Sequence, residues 1–351
     1  GLRELAVSND VGLTWKVAGE SLGVLASGSF SDANVGTSKV VTASYTLQNG
    51  TNGLANNYIL NANTPNPDSR LRGNIVSSVN PVINPTPSPV NNNTGSRVRT
   101  VSGFGGAGAA TGANFLMEGD GLKVLVDCGL TQGEKSEDDI NWDPFIYDAK
   151  TVDILFITHA HVDHIGDAPA LAKLHKTVLY GPADMITPLV TLGVMPAELT
   201  HRFNKTGHVK PLPGIKVTAV QAEHSSLLVW KNPATEKLES HPAGEAVGYI
   251  IELENGFKIW HMGDTGLFGD MKFISERYKP DLVLMPIGGN FTMDPEDAAF
   301  AARNWIKPKM VIPIHYNSNP LAKGTLEEFQ NAMKGSKVKV VPMTEGQTLA
   351  F

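Results

Sequence analysis

The sequence predicts an α/β sandwich of about 250 residues preceded by a small all-β module, and three observations lead there. The composition changes near residue 97 of the 351-residue chain. From residue 98 onward, apolar runs of strand length alternate with helix-period patterns. The first histidine cluster then follows directly on one of those apolar runs.

Residues 1–77 are rich in Ser, Thr, Asn and Gly, contain no His, and include β-type runs such as 38–47, separated by Gly and Asn turns. Residues 78–97, with Pro81, Pro85, Pro87 and Pro89 among Asn, Ser and Thr, predict an extended linker. Residues 98–351 form the larger domain. Its predicted strands are 98–104, 114–118, 122–127 and a buried one over 152–158, followed by a helical pattern over 166–174. Asp294-Pro295 predicts the start of a helix running to Ile306. Thr325 and Glu328 have capping-box spacing for another, ending near Gly335.

Composition excludes some functions. A hydrophobic fraction of 41% suits a soluble globular protein with a sizeable core. The net charge is −6 and no Lys/Arg run occurs, which disfavours nucleic acid as a partner and leaves only a local patch open to it. The single cysteine, Cys128, permits no intrachain disulfide. No apolar stretch reaches the roughly 18 residues of a membrane span. The N-terminus lacks a signal-peptide pattern, although a start at Gly1 leaves a trimmed leader open. Oligomeric state is not indicated.

The chemistry concentrates in Thr158-His159-Ala160-His161-Val162-Asp163-His164, an HxHxDH motif between a strand and a helix. Three imidazoles and a carboxylate at a strand end suit divalent-metal ligation by nitrogen and oxygen, and make a poor apolar core. His224, Asp264 and His315 each follow a further apolar run and adjoin small or turn residues.

In order and surroundings these motifs resemble the metallo-β-lactamase superfamily, whose pattern is Asp, HxHxDH, His, Asp and His. The stretches 263–268, 284–293 and 314–317 resemble its uncharacterised metal-dependent hydrolase branch, related to bacterial ascorbate-6-phosphate lactonases. The resemblance spans about residues 98–351. It implies an αββα sandwich with two divalent metal ions in a cleft at one edge. His159, His161 and His224 would hold one ion, Asp163, His164 and His315 the other, and Asp264 would bridge them. Asp127 would orient a ligand histidine from behind. A hydroxide generated between the metals would attack an ester, lactone or phosphorylated small molecule, with Asp163 and Asp264 as the catalytic carboxylates. The ligand chemistry suits Zn²⁺, with Mn²⁺, Fe²⁺ or Ni²⁺ able to take the same donors.

Two further resemblances pull elsewhere. Residues 126–134 and 141–145 resemble the RNA-processing β-CASP branch, which raises a phosphodiesterase or nuclease reading beside a β-lactamase one. The 50 residues between Asp264 and His315 leave no room for that branch's extra domain. Residues 25–37 and 55–60 resemble filamentous-haemagglutinin-type surface modules, which raises a structural or adhesive reading with a relic metal site. The catalytic domain suggests the cytoplasm, whereas the N-terminal resemblance suggests export.

Other signals reduce to ordinary structure. The GxGxxG match at Gly103–Gly108 reads as an inter-strand turn, Cys128 as a small buried thiol, and His261 as a core residue or support. His175, His201, His208 and His241 read as structural or exposed. Glu223, Asn290, Tyr316 and Asn317 adjoin ligand positions, where substrate contact and plain turn hydrogen bonding are both open.

Overall fold

The structure is a computed structural model describing residues 99–109, 111–119, 121–132, 141, 145–317 and 321–351, together with the backbone of six strands before residue 74. The chain divides into two compact units, Gly1–Gly95 and Ser96–Phe351.

In the first unit, β1 (Arg3–Val7), β2 (Leu13–Thr14) and β5 (Tyr58–Leu60) form one sheet, in the order β2-β1-β5. A second sheet, β3-β4-β6, joins β3 (Leu22–Phe30), β4 (Lys39–Asn49) and β6 (Arg72–Gly73). The haemagglutinin-like stretch 25–37 is described only as far as residue 30, and 55–60 only from residue 58. The expected linker 78–97 lies outside the described residues.

The second unit is built on two seven-stranded sheets. The first contains β7 (Thr100–Gly105), β8 (Asn114–Gly119), β9 (Leu122–Val126), β10 (Ile154–Phe156), β11 (Val178–Pro182), β12 (Thr200–Phe203) and β22 (Gln347–Ala350), in the order β12-β11-β10-β9-β8-β7-β22. The second contains β13 (His208–Leu212), β14 (Ile215–Gln221), β17 (Val247–Glu252), β18 (Lys258–His261), β19 (Leu282–Pro286), β20 (Met310–Ile314) and β21 (Lys339–Val340), in the order β13-β14-β17-β18-β19-β20-β21. A separate hairpin joins β15 (Leu227–Lys231) to β16 (Leu238–Pro242).

Side-chain alternation sorts the strands into layers. Phe115, Met117, Val124, Val126 and Phe156 from the first sheet meet Val217, Tyr249, Ile251, Leu284 and Ile312 from the second in one buried cluster. Their neighbours Leu116, Leu125, Leu155 and Leu179 point the other way, onto α2 (Ala168–His175) and α3 (Ala183–Thr191) through Leu171, Met185 and Leu189. On the far side, Trp260, Val283, Met285 and Val311 pack on α4 (Met271–Tyr278), α5 (Pro295–Phe300) and α6 (Leu326–Ala332). The result is the four-layer αββα sandwich. Strands such as Leu282–Pro286 are continuously apolar because both of their faces are covered.

Local expectations hold with informative adjustments. Thr325 and Glu328 form both halves of the capping box, and the Asp294 carboxylate accepts from the Asp297 N–H. The helix after Asp294 reaches Ile306, but its second half, Ala301–Ile306, is π-helical. Gly106 and Gly108, at φ 71° and 76°, turn the chain between β7 and β8, so the GxGxxG match is an inter-strand turn. The buried strand is shorter than 152–158, because beyond Phe156 the Thr158 N–H donates to the Asp127 carboxylate at 2.8 Å. The helix expected over 166–174 begins at Ala168, after a separate turn, α1 (Val162–Ile165).

Asp167 precedes α2 without making a side-chain cap, and burial pushes its carboxyl up to about 6. A carboxyl raised in the folded state favours folding only while protonated, so this contribution is present below about pH 4 and is lost as pH rises through about 6. Asp167→Asn is therefore expected to raise stability by up to about 2–3 kcal/mol at pH 8 and to change it little at pH 4. Urea unfolding of both proteins at the two pH values tests this, and an equal effect at both would refute it.

Candidate metal centre

Strand direction brings the candidate ligands to one edge. Strands β9 and β10 run parallel, as do β18, β19 and β20, while β14 joins the latter direction through two antiparallel steps across β17. Asp127, the HxHxDH loop, His224, Asp264 and His315 all follow the C-terminal ends of these strands. Two of the residues adopt a left-handed backbone, Asp127 at φ 60° and His315 at φ 54°. Gly263 does the same at φ 63° immediately before Asp264. Such conformations are costly for non-glycine residues and concentrate at functional sites. Here long-range hydrogen bonds hold them, from Asp127 N–H to the Phe156 carbonyl at 2.8 Å and from His315 N–H to the Gly106 carbonyl at 2.8 Å.

His161 stands at the N-terminal boundary of α1, with Asp163 and His164 in its single turn. His159 Nε2 lies 3.0 Å from His161 Nδ1, which lies 3.2 Å from His224 Nε2. Zn–N bonds of about 2.0–2.1 Å in tetrahedral geometry imply nitrogen–nitrogen edges of about 3.3 Å, so this triad has the dimensions of a metal face. Asp163, His164 and His315 form a second set, and His159, His164 and Asp264 a third, the ligand atoms in each lying within 4.8 Å of one another. Asp264 touches both halves: Oδ2 is 3.0 Å from His315 Nε2 and 3.7 Å from His224 Nε2, and Oδ1 is 3.4 Å from His164 Nε2. The structure thus brings together all seven expected ligand residues.

Among the described residues, His164 Nε2, His315 Nε2 and Asp264 Oδ1 are buried in the cluster without a well-formed hydrogen bond. Buried polar atoms left unpaired are expensive, and in a native site they call for an ion, a water or a ligand. These nitrogen and oxygen atoms lie close together, and a cation accepting their lone pairs suits them.

Electrostatics agree with that reading. Burial, reinforced by His164, holds the His159 imidazole well below its usual value, as a neutral ligand requires. Burial opposes ionisation of Asp264, but His315 and His164 overcome it and hold the carboxyl well below its usual range. Burial likewise opposes a charged His315, yet Asp264 and Asp163 push it up to about 9. A divalent ion entering here would displace protons from imidazole, so its affinity would rise with pH.

Behind the ligands, Asp127 is fully buried and accepts from His164 Nδ1 at 2.8 Å, the place expected of a residue that orients a ligand histidine. Sequence reasoning passed over Thr158, whose hydroxyl is 2.8 Å from Asp127 Oδ2 and 3.0 Å from His159 Nδ1. It also passed over Ser225, 3.4 Å from His161 Nε2, and Ser226, which accepts from the Ala160 N–H. The available signal was that Thr158 and Ser225 adjoin a candidate ligand in the sequence and Ser226 stands two residues from one.

The remaining candidates fall as follows. Cys128 is buried, its thiol pushed up by burial, and it belongs to none of the ligand sets. His261 is a core residue: it accepts from Gly263 N–H at 3.2 Å, packs edge-on to Phe115, and burial lowers it to about 4. Tyr316 is buried, whereas Glu223, Asn290 and Asn317 are exposed. The Glu223 backbone is tied to Thr265 and Gly266, next to Asp264. His201 stacks on Tyr180 and His241 lies 3.3 Å from Glu239, while His175 and His208 also stand outside the ligand sets. The residues from Asp264 to His315 contain α4, β19, α5 with its π-helical extension and β20, and no inserted domain. Of the β-CASP-like stretches 126–134 and 141–145, residues 133–134 and 142–144 lie outside the described residues.

Comparison with known proteins agrees with the geometry. The family model described as "Beta-lactamase superfamily domain" matches residues 123–316, which include Asp127 and all seven ligand candidates. A protein from Polynucleobacter asymbioticus named "UPF0173 metal-dependent hydrolase" is 72% identical over 231 residues, covering 66% of this chain and 80% of the relative. A protein of the same name from Polaromonas sp. is 59% identical over 200 residues, covering 57% of this chain and 73% of the relative. Among solved structures, Igni18, a metallo hydrolase from the archaeon Ignicoccus hospitalis, superposes with a TM-score of 0.58 at 30% identity, over 72% of this chain and 98% of Igni18. The αββα fold, the convergent His/Asp cluster and these relatives together place the chain in the metallo-β-lactamase superfamily, as a metal-dependent hydrolase of the UPF0173 family.

Proposed function

We propose that the centre is dinuclear and hydrolyses a small ester, lactone or phosphorylated metabolite. His159, His161 and His224 hold one ion, Asp163, His164 and His315 the other, and Asp264 is shared. The observation that carries this reading is the set of buried, unpaired ligand atoms on His164, His315 and Asp264 facing one another. Two divalent ions, with Zn²⁺ favoured by the nitrogen-rich donors, supply Lewis acidity and make water ionisation accessible near neutral pH.

The chain's own residues supply position and proton handling. Asp127 orients His164, and the Phe291 backbone hydrogen-bonds His224. Asp163, whose side chain is 13% exposed, is the more open of the two central carboxylates and is placed to accept a proton from the attacking water. Asp264, 4% exposed, stays among the imidazoles and balances their charge. No serine or cysteine nucleophile is required.

Elemental analysis of the intact protein against a His161→Ala/Asp264→Ala double variant tests the centre. About two metals per chain in the first and clear loss in the second are expected. No metal in the intact protein, even after reconstitution, would reduce the cluster to a relic. With metal present, a screen of lactones, esters, phosphodiesters and a chromogenic cephalosporin tests the substrate class. Turnover of phosphodiesters alone, or of the cephalosporin alone, would overturn it.

A further inference from the structure

We propose that the Thr158 hydroxyl is a tautomer relay through which the single buried carboxylate of Asp127 sets the ligand nitrogen of two histidines, one in each half of the centre. This rests on the dinuclear reading above. Thr158 and Asp127 are both fully buried, so every polar atom between them must be accounted for within the protein.

A carboxylate can only accept. Asp127 Oδ1 takes the Thr158 N–H at 2.8 Å, and Oδ2 takes His164 Nδ1–H at 2.8 Å and the Thr158 hydroxyl at 2.8 Å. The one hydroxyl proton is thereby committed to Asp127. Thr158 Oγ1 then meets His159 Nδ1, 3.0 Å away, with a lone pair, so His159 carries its proton on Nδ1. Its Nε2, the atom facing His161 at 3.0 Å, is left with a free lone pair. The reverse arrangement would point an N–H into the cluster and demand a proton on Asp127, whose oxygens already accept from two other donors.

His161 is set the opposite way. Its Nδ1 faces the cluster, and its Nε2 lies 3.4 Å from the Ser225 hydroxyl. The two histidines of the HxH motif therefore present different nitrogens, and on the His159 side Thr158 is the positioning residue. Partners behind a ligand commonly affect metal affinity by about 10–100-fold, and at His159 that influence passes through one hydroxyl.

The test is titration of metal-free, full-length protein with Co²⁺, followed by visible absorption, for the parent, Thr158→Val and Thr158→Ser. In Thr158→Val, one of the two binding steps is expected to weaken by about 10–100-fold while the other stays within about threefold, and serine should restore parent behaviour. Equal weakening of both steps, no weakening, or serine as damaging as valine would overturn the relay. A parent that binds no Co²⁺ would sink the dinuclear reading itself, which is a different failure. Should Thr158→Val not fold, long-range ¹H–¹⁵N spectra of the zinc-loaded parent decide the matter. A proton on His159 Nδ1 is expected, and one on Nε2 would refute the relay.

Discussion

Replacing Asp264 with alanine is expected to weaken metal binding by more than about 100-fold and to abolish hydrolysis, because among the described residues this is the carboxylate that reaches both halves of the proposed centre. Its two oxygens lie 3.0–3.7 Å from the ligand nitrogens of His164, His224 and His315. Loss of a partner that never touches metal commonly costs about 10–100-fold in affinity, so loss of a shared ligand should cost more. The metal-free variant should also be less stable. His315, pushed up to about 9 mainly by Asp264 against the effect of burial, would keep a buried charge with Asp163 as its nearest remaining anion. Breaking a buried ion pair by removing one partner costs about 3–5 kcal/mol. Equilibrium dialysis with elemental analysis measures the first effect, and urea unfolding of the metal-free proteins at pH 7 the second. Parent-like metal content in the variant would remove Asp264 from the centre.

The second large effect is expected at Gly129, which carries no ligand atom. A Cβ there would collide with the backbone of Asp163 and His164, and the segment has no room to retreat. Cys128 N–H donates to the His164 carbonyl at 2.8 Å, Gly129 N–H to Ala113 at 3.1 Å, and Leu130 N–H to Val162 at 3.0 Å. Any shift that relieves the clash therefore moves the turn bearing Asp163 and His164. Gly129→Ala should cost about 3 kcal/mol or more, lower the unfolding temperature by about 10 °C, and weaken metal binding in the same protein. Gly269→Ala is the control. Nothing lies within 4 Å of a Cβ at Gly269 and its φ is not positive, so its effect should stay within about 0.5 kcal/mol. Equal behaviour of the two variants in thermal melts would show that the close approach at Gly129 carries no weight.

Much of this site is legible in the residues themselves. The HxHxDH spacing, the order of His224, Asp264 and His315 after apolar runs, and the caps at Asp294 and Thr325 are local signals; the caps form as expected and the His and Asp residues converge in one cluster. Strand positions are legible for the same reason: alternation over a few residues records which face is covered, as Phe115, Leu116 and Met117 do in turn. The boundaries near the site are less so. The strand expected over 152–158 is only Ile154–Phe156, because the Asp127 carboxylate competes for the Thr158 N–H.

By itself, the sequence pointed to an α/β sandwich and a metal-binding cluster of His and Asp, because periodicity and side-chain chemistry are properties of short windows, and the family resemblance implied the four layers and the seven candidate ligands. Only the tertiary structure decided how those residues meet. Left-handed turns at Asp127 and His315 are held by Phe156 and Gly106, residues remote in the chain, and nothing nearby in the sequence announces them. The approach of Gly129 to Asp163 and the meeting of Asp127 with Thr158 likewise arise only when parallel strands bring separate loops to one edge. At His164 and His161 the hydrogen-bond partners that bear on which nitrogen faces the cluster, Asp127 and Ser225, stand dozens of residues away, and for that reason the choice could not be read from spacing.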